Sequence, residues 1–214
     1  MLFQLGRFTE SQARNEALLR DQLRVLGPTH SATLTTQLQL GNDLAAQQKP
    51  AEALQHFETA ATGFRTTLSA THPRYLAALN GQAYALEDLG RLAEAEQVYQ
   101  PLIAGWAHPE NRQHAEAYTP RNNLAMLQLR QGRARDADSS FERLLADAAP
   151  ALGEGHIYLA LYRANWAEVL EQLGRKADAR RTLAPSLPLL REQLGPEHPK
   201  TQAAEARWLR LEGE

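Results

Sequence analysis

Histidine stands at His30, His72, His114, His156 and His198, every 42 residues, with no insertion between them. A second series runs in the same period: Gly6, Gln48, Gly90, Gly132 and Gly174, each followed by Arg or Lys (Arg7, Lys49, Arg91, Arg133, Arg175). A period held this strictly along the chain restricts it to an array of stacked units. Each unit buries its apolar side against the next, and no single central core exists.

The content of one unit follows from its hydrophobic spacing. Between His72 and Gly90, Leu76, Leu79, Ala83 and Leu86 recur at three and four residues, which is one face of a helix and not strand alternation. From Arg91 to Trp106, Ala95, Tyr99, Leu102 and Trp106 do the same. Gly90 lies between the two stretches, where a residue that tolerates positive φ ends the first helix. The unit is therefore helix A, a tight turn, helix B and a longer turn. This excludes propeller blades of similar length.

The period predicts a partial repeat over 1–29, repeats over approximately 30–71, 72–113, 114–155 and 156–197, and a capping helix over 198–214. The whole is one all-α solenoid of about ten helices. In helix A one column reads Gly41, Ala83, Ala125, Ala167, then Leu209. A small residue there lets helix B approach closely, and no helix B follows Leu209. Facing columns in helix B read Ala53, Ala95, Ala137, Ala179 and Phe57, Tyr99, Phe141, Leu183, the alternation of small and large that interdigitation needs. Glu52, Glu94, Asp136 and Asp178 open each helix B, where a carboxylate is favoured by the helix dipole.

The repeated histidine has a structural role in this scheme. Equivalent atoms of successive units are on the order of 10 Å apart, whereas zinc needs ligands at ~2.0–2.3 Å. No metal site is expected. Each histidine precedes helix A and follows helix B, where a ring nitrogen can bond the orphan carbonyls ending helix B. The third joint, Trp106 to His114, lacks the Leu-Gly-Pro of the others, and Pro120 falls inside the expected helix A. That helix is expected to bend or to start late, with Thr119 as its cap. Pro101 and Pro185 share a column in helix B and predict a kink in each.

Three stretches now carry a resemblance. LGPEHPKT (Leu194–Thr201), NNLAMLQLRQGRARDAD (Asn122–Asp138) and GRLAEAEQVY (Gly90–Tyr99) resemble the 42-residue tetratricopeptide repeats of the kinesin light chain type. That pattern has LGxxHP before helix A, LNNLA within it, QGR at the turn and EAE at the start of helix B. The resemblance covers nearly the whole chain. It implies a right-handed α-α superhelix whose concave side is lined by the A helices.

It also implies a place for binding. The groove-facing columns read Leu38, Asn80, Asn122, Ala164; Gln39, Gly81, Asn123, Asn165; and Asn42, Tyr84, Met126, Glu168. In the related family the paired asparagines hold the backbone of an extended peptide. Asn80 matches the first, Asn165 the second, and Asn122 with Asn123 both. A carboxamide both donates and accepts, so it can grip any peptide bond. The same asparagines could instead cross-link neighbouring A helices. Leu38, Gly81 and Ala164 depart from the pattern and interrupt the ladder. Arg121 and Arg163 replace leucine, and either reach the groove rim, favouring an acidic ligand, or pair with Glu168 or Glu171. The expected binding set is Gln39, Asn42, Asn80, Tyr84, Arg121, Asn122, Asn123, Met126, Arg163 and Asn165.

Composition narrows the function classes. Twenty-three Lys and Arg against 25 Asp and Glu give no general attraction to nucleic acid or anionic membrane. No apolar run approaches the ~20 residues that span a bilayer. The absence of cysteine excludes disulfides and thiolate chemistry and fits the cytoplasm. There is no phosphate-binding glycine loop, HExxH or GxSxG, so no catalytic set and no cofactor are expected. The expectation is a non-catalytic module that binds a peptide or protein segment in the groove. The alternative is a structural or oligomerisation domain positioning a catalytic or signalling domain of a larger protein. Leu2 corresponds to Leu44, deep in a helix A, so the chain is expected to be cut from such a protein within a repeat. The unpaired first helix B would expose Leu18, Leu19 and Leu23 and offer an end for self-association.

Overall fold

Residues 8–111 and 114–213 are described by the structure, a computed structural model. The expected remnant of a first helix A around Leu2 lies outside them. The described residues form eleven α-helices and one 3-10 turn. They are α1 (Phe8–Val25), α2 (Ser31–Ala46), α3 (Pro50–Thr67), α4 (Pro73–Asp88), α5 (Leu92–Ala107), α6 (Thr119–Arg130), α7 (Ala134–Leu152), α8 (Ile157–Gln172), α9 (Lys176–Leu183), α10 (Ser186–Leu194) and α11 (Pro199–Glu212). The 3-10 turn, Ala115–Tyr118, precedes α6. The A helices are α2, α4, α6, α8 and α11, and the fold is all-α, a solenoid of helix pairs. Two compact units divide the chain, Met1–Arg112 and Gln113–Glu214, and the division falls at the repeat joint that lacks Leu-Gly-Pro.

Within each unit the small and large columns meet as the sequence requires. Gly41, Ala83, Ala125 and Ala167 are buried, and so are Phe57, Tyr99, Phe141 and Leu183. Each large side chain contributes about 1.5–3 kcal/mol by leaving water. Phe57 packs closely against two glycines. A Cβ on Gly41 would stand 2.6 Å from its ring, and one on Gly81 would stand 2.4 Å away. The ring thus wedges between α2 and α4, and only glycine on both helices admits it.

The histidines act at the joint, but on the opposite helix end from the one expected. In His30, His72, His156 and His198 the ring Nδ1 accepts a hydrogen bond from the backbone N–H two residues on, at 3.1–3.2 Å. Each is the N-cap of a helix A and does not serve the carbonyls of helix B. The reason is geometric: the extended backbone of the histidine turns its short ring towards the first free N–H groups of the helix that follows. His114 precedes the 3-10 turn and makes no such cap.

The prolines divide. Pro101 lies within an unbroken α5, on an exposed face where water can serve the carbonyl that loses its partner. Pro185 ends α9, and helix B of that repeat is broken into α9 and α10. Pro188 follows within the same turn, so two backbone donors are missing where α5 lacks one. Helix A of the third joint starts late, at Thr119. Thr119 is not its cap: its Oγ1 is 3.1 Å from the Tyr162 hydroxyl, and the N-cap position is Tyr118.

The two end helices differ from the interior ones. α1 has no buried residue. It places Ser11 and Asn15 in the columns held elsewhere by Ala53 and Phe57, and both donate to the buried Asp43 carboxylate of α2, at 2.9 and 2.8 Å. Leu18 and Leu23 are exposed, with Val25 and Leu26 beside them, while Leu19 is half-buried. On α11, Leu209 is 66% exposed.

Candidate binding face

In unit 1 the candidate residues lie on the A helices α2 and α4. Gln39 and Asn42 are exposed, Asn80 is half-buried, and Tyr84 is exposed. Asn42, Asn80 and Tyr84 border one cleft of about 250 Å³. Gln39 is not among its walls. Leu38, Ala45, Phe57, Ala77 and Ala85 give it an apolar lining, to which Asp88 adds one charged group. The cleft exists because Gly81 breaks the column that reads Gln39, Asn123 and Asn165 elsewhere. The side chains of Asn42, Asn80 and Asp88 make no hydrogen bond or ion pair among the described residues.

In unit 2 the asparagines are spent on each other. Asn165 Nδ2 donates to Asn122 Oδ1 at 2.9 Å, and Asn122 Nδ2 donates to Asn123 Oδ1 at 3.0 Å. This joins α8 to α6, and Asn122 is buried. Met126 is half-buried against the apolar cluster of Phe141, Leu144 and Leu159. Neither arginine of the leucine column meets Glu168 or Glu171. Arg121 pairs with Asp147 of α7 at 2.7 Å, and Arg163 pairs with Glu154, just before α8. Those two glutamates instead receive Arg207 and Arg210 from α11, at 2.8–3.3 Å.

Ionisation is shifted in the Arg91–Glu94 and Arg175–Asp178 pairs, in Glu171 and in His56. Burial opposes the charge of Glu171, but hydrogen bonds from Arg210 and Arg207 outweigh it, so the carboxyl sits below its ordinary range. Burial lowers the His56 ring below the ordinary histidine range, against the opposing pull of Glu16 and Glu52. Its Nδ1 faces Gln37 Oε1 of α2. Three of the acids opening the B helices pair with the arginine of the preceding turn, Arg91–Glu94 and Arg175–Asp178 at 2.7 Å and Arg133–Asp136 at 3.8 Å, while the turn before Glu52 carries Lys49. Among the described residues no group of His, Asp and Glu is arranged to hold a metal ion. None of the helices described is long and apolar enough to cross a membrane.

The tetratricopeptide repeat profile matches residues 1–66 and again 33–105, and the period continues through the helix pairs of the second unit. The chain is a tetratricopeptide-repeat protein. Its repeats are of the kinesin light chain-like type. They are similar in fold to the nearly identical TPR-like repeats of a putative kinesin light chain of Podosopora anserina, at 21% identity and a TM-score of 0.76, over 90% of this chain and 91% of that one. BtubC (BKLC) from P. vanneervenii is similar at 17% identity and a TM-score of 0.73, over 92% and 78% of the two chains. A Rap protein in complex with Competence and Sporulation Factor is similar at 17% identity and a TM-score of 0.62, over 98% and 60%. No curated protein matches the chain in sequence.

Proposed function

We propose that this tetratricopeptide-repeat protein is a non-catalytic interaction module, working in the cytoplasm, that holds a peptide or protein segment on the face formed by its A helices. The observation that carries this reading is the cleft of unit 1. Two carboxamides, Asn42 and Asn80, stand uncommitted beside an apolar lining. Such amides can exchange hydrogen bonds with an extended backbone while the lining takes a side chain. The similar Rap protein was solved with Competence and Sporulation Factor, which accords with a binding role. Gln39 and Tyr84 complete the proposed face of unit 1, and Arg121, Asn122, Asn123, Met126, Arg163 and Asn165 make up that proposed for unit 2. Within it, the asparagines and arginines of unit 2 must give up existing bonds to engage a ligand.

A structural or oligomerisation role is the second reading, favoured by Leu18, Leu23 and Val25 on α1, Leu26 just after it and Leu209 on α11, which are all exposed. A photo-reactive phenylalanine at Tyr84, beside one at the exposed Glu58 of α3, separates the two readings. Cross-linked partners obtained from Tyr84 and not from Glu58 support binding on the A-helix face. Identical products from both positions would remove that support.

A further inference from the structure

We propose that the ligand segment is anchored in unit 1, by one apolar side chain seated on Phe57 and one basic side chain at Asp88. This rests on the binding role proposed above and adds its location and the chemistry of its ligand.

The cleft is small. At about 250 Å³ it falls below the ~300 Å³ lower end of small-molecule pockets, so it fits a single side chain of a longer segment. Half of its lining residues, Phe57, Leu38, Ala45, Ala77 and Ala85, are apolar, and a side chain packed on them is aliphatic or aromatic. Backbone grip is available on unit 1 in particular. Asn42 and Asn80 make no side-chain bond among the described residues, while Asn122, Asn123 and Asn165 of unit 2 bond one another.

Charge supplies the second requirement. Asp88 is the sole charged residue lining the cleft and has no partner among the described residues. The cations near it in sequence or on the same helix are committed. Arg91 forms two 2.7 Å bonds to Glu94, and Arg74, roughly 20 Å away at the far end of α4, bonds Ser31. Asp88 is also the last residue of α4, where the backbone carbonyls carry the negative end of the helix dipole. A negative side chain on a negative helix end calls for lysine or arginine beside the apolar anchor.

The test uses the full chain and a phage library of random dodecapeptides, with circular dichroism confirming that each variant is folded. Selection should enrich peptides that carry an apolar residue close to a Lys or Arg. Ala77 is exposed on the cleft wall, so Ala77→Gln fills the space without entering the core. It should weaken a selected peptide about tenfold or more. Asp88→Asn should weaken it about two- to fivefold, and selection on Asp88→Lys should turn towards acidic peptides. Peptides that bind the A-helix face but are indifferent to Ala77→Gln and to both Asp88 variants would overturn this location while leaving the binding role intact. Recovery of no peptide by the folded chain, or of apolar peptides that Leu18→Glu or Leu209→Glu abolishes, would overturn both.

Discussion

Gln48 occupies the turn position where Gly90, Gly132 and Gly174 stand, and it adopts φ +59°. A side chain in the left-handed region costs roughly 1–2 kcal/mol, part of which glycine returns as unfolded-state entropy. Gln48→Gly is therefore expected to stabilise the protein by about 0.5–1 kcal/mol, read from chemical denaturation. Gly81 gives the opposite result. In a helix interior, alanine normally gains up to about 1 kcal/mol over glycine. Here its Cβ would enter the Phe57 ring, and overpacking costs about 1–3 kcal/mol. Gly81→Ala should lower stability, and a measured gain would mean that Phe57 moves aside freely. The 42-residue period marked Gly81 as a departure but not its purpose, because the ring it receives comes from α3, 24 positions earlier in the chain.

At the scale of elements, helix pairs and turns were readable from spacing, since apolar periodicity and burial express one requirement. Directions of side chains were not. The histidines could face either helix end, and chain geometry selected the N-terminus of helix A. Arg121 and Arg163 took Asp147 and Glu154 because long side chains pair across loops that a column alignment leaves out. The docking of α11 on α8 depends on Arg207 and Arg210 holding Glu171. The Glu171 carboxyl is lowered on folding, so its contribution is present above the ordinary carboxylate range and is lost as pH falls through its folded value. Arg207→Ala should cost about 1–2 kcal/mol at neutral pH and should flatten the acid limb of the stability profile. His56 acts with the reverse sign. Its ring is lowered on folding, so the unfolded chain takes the proton first, and acidification through the histidine range destabilises α2–α3 packing. His56→Asn should remove that part of the loss in a pH-dependent unfolding series.

On the scale of the whole molecule, a repeat chain distributes stability along its length and concentrates weakness at its ends. α1 buries no residue, whereas α3 and α4 each bury seven. Amide exchange in α1 should be at least about tenfold faster than in α3 and α4, and equal protection would show that α1 is covered in solution. Among the described residues the alternation of A and B helices was legible, apart from the late start of α6 and the break between α9 and α10. The candidate site was legible only in outline. Its columns follow from the period, but the split between free amides in unit 1 and bonded amides in unit 2 depends on which side chains come within reach. The central claim is that a ligand lies on the A helices of unit 1. The measurement that tests it most directly is an amide chemical-shift titration with a library-selected peptide. The side-chain NH₂ signals of Asn42 and Asn80 and the backbone of α2 and α4 should move together, with those of α1 and α11 unchanged. Shifts confined to α1 and α11, with Asn42 and Asn80 still, would contradict it.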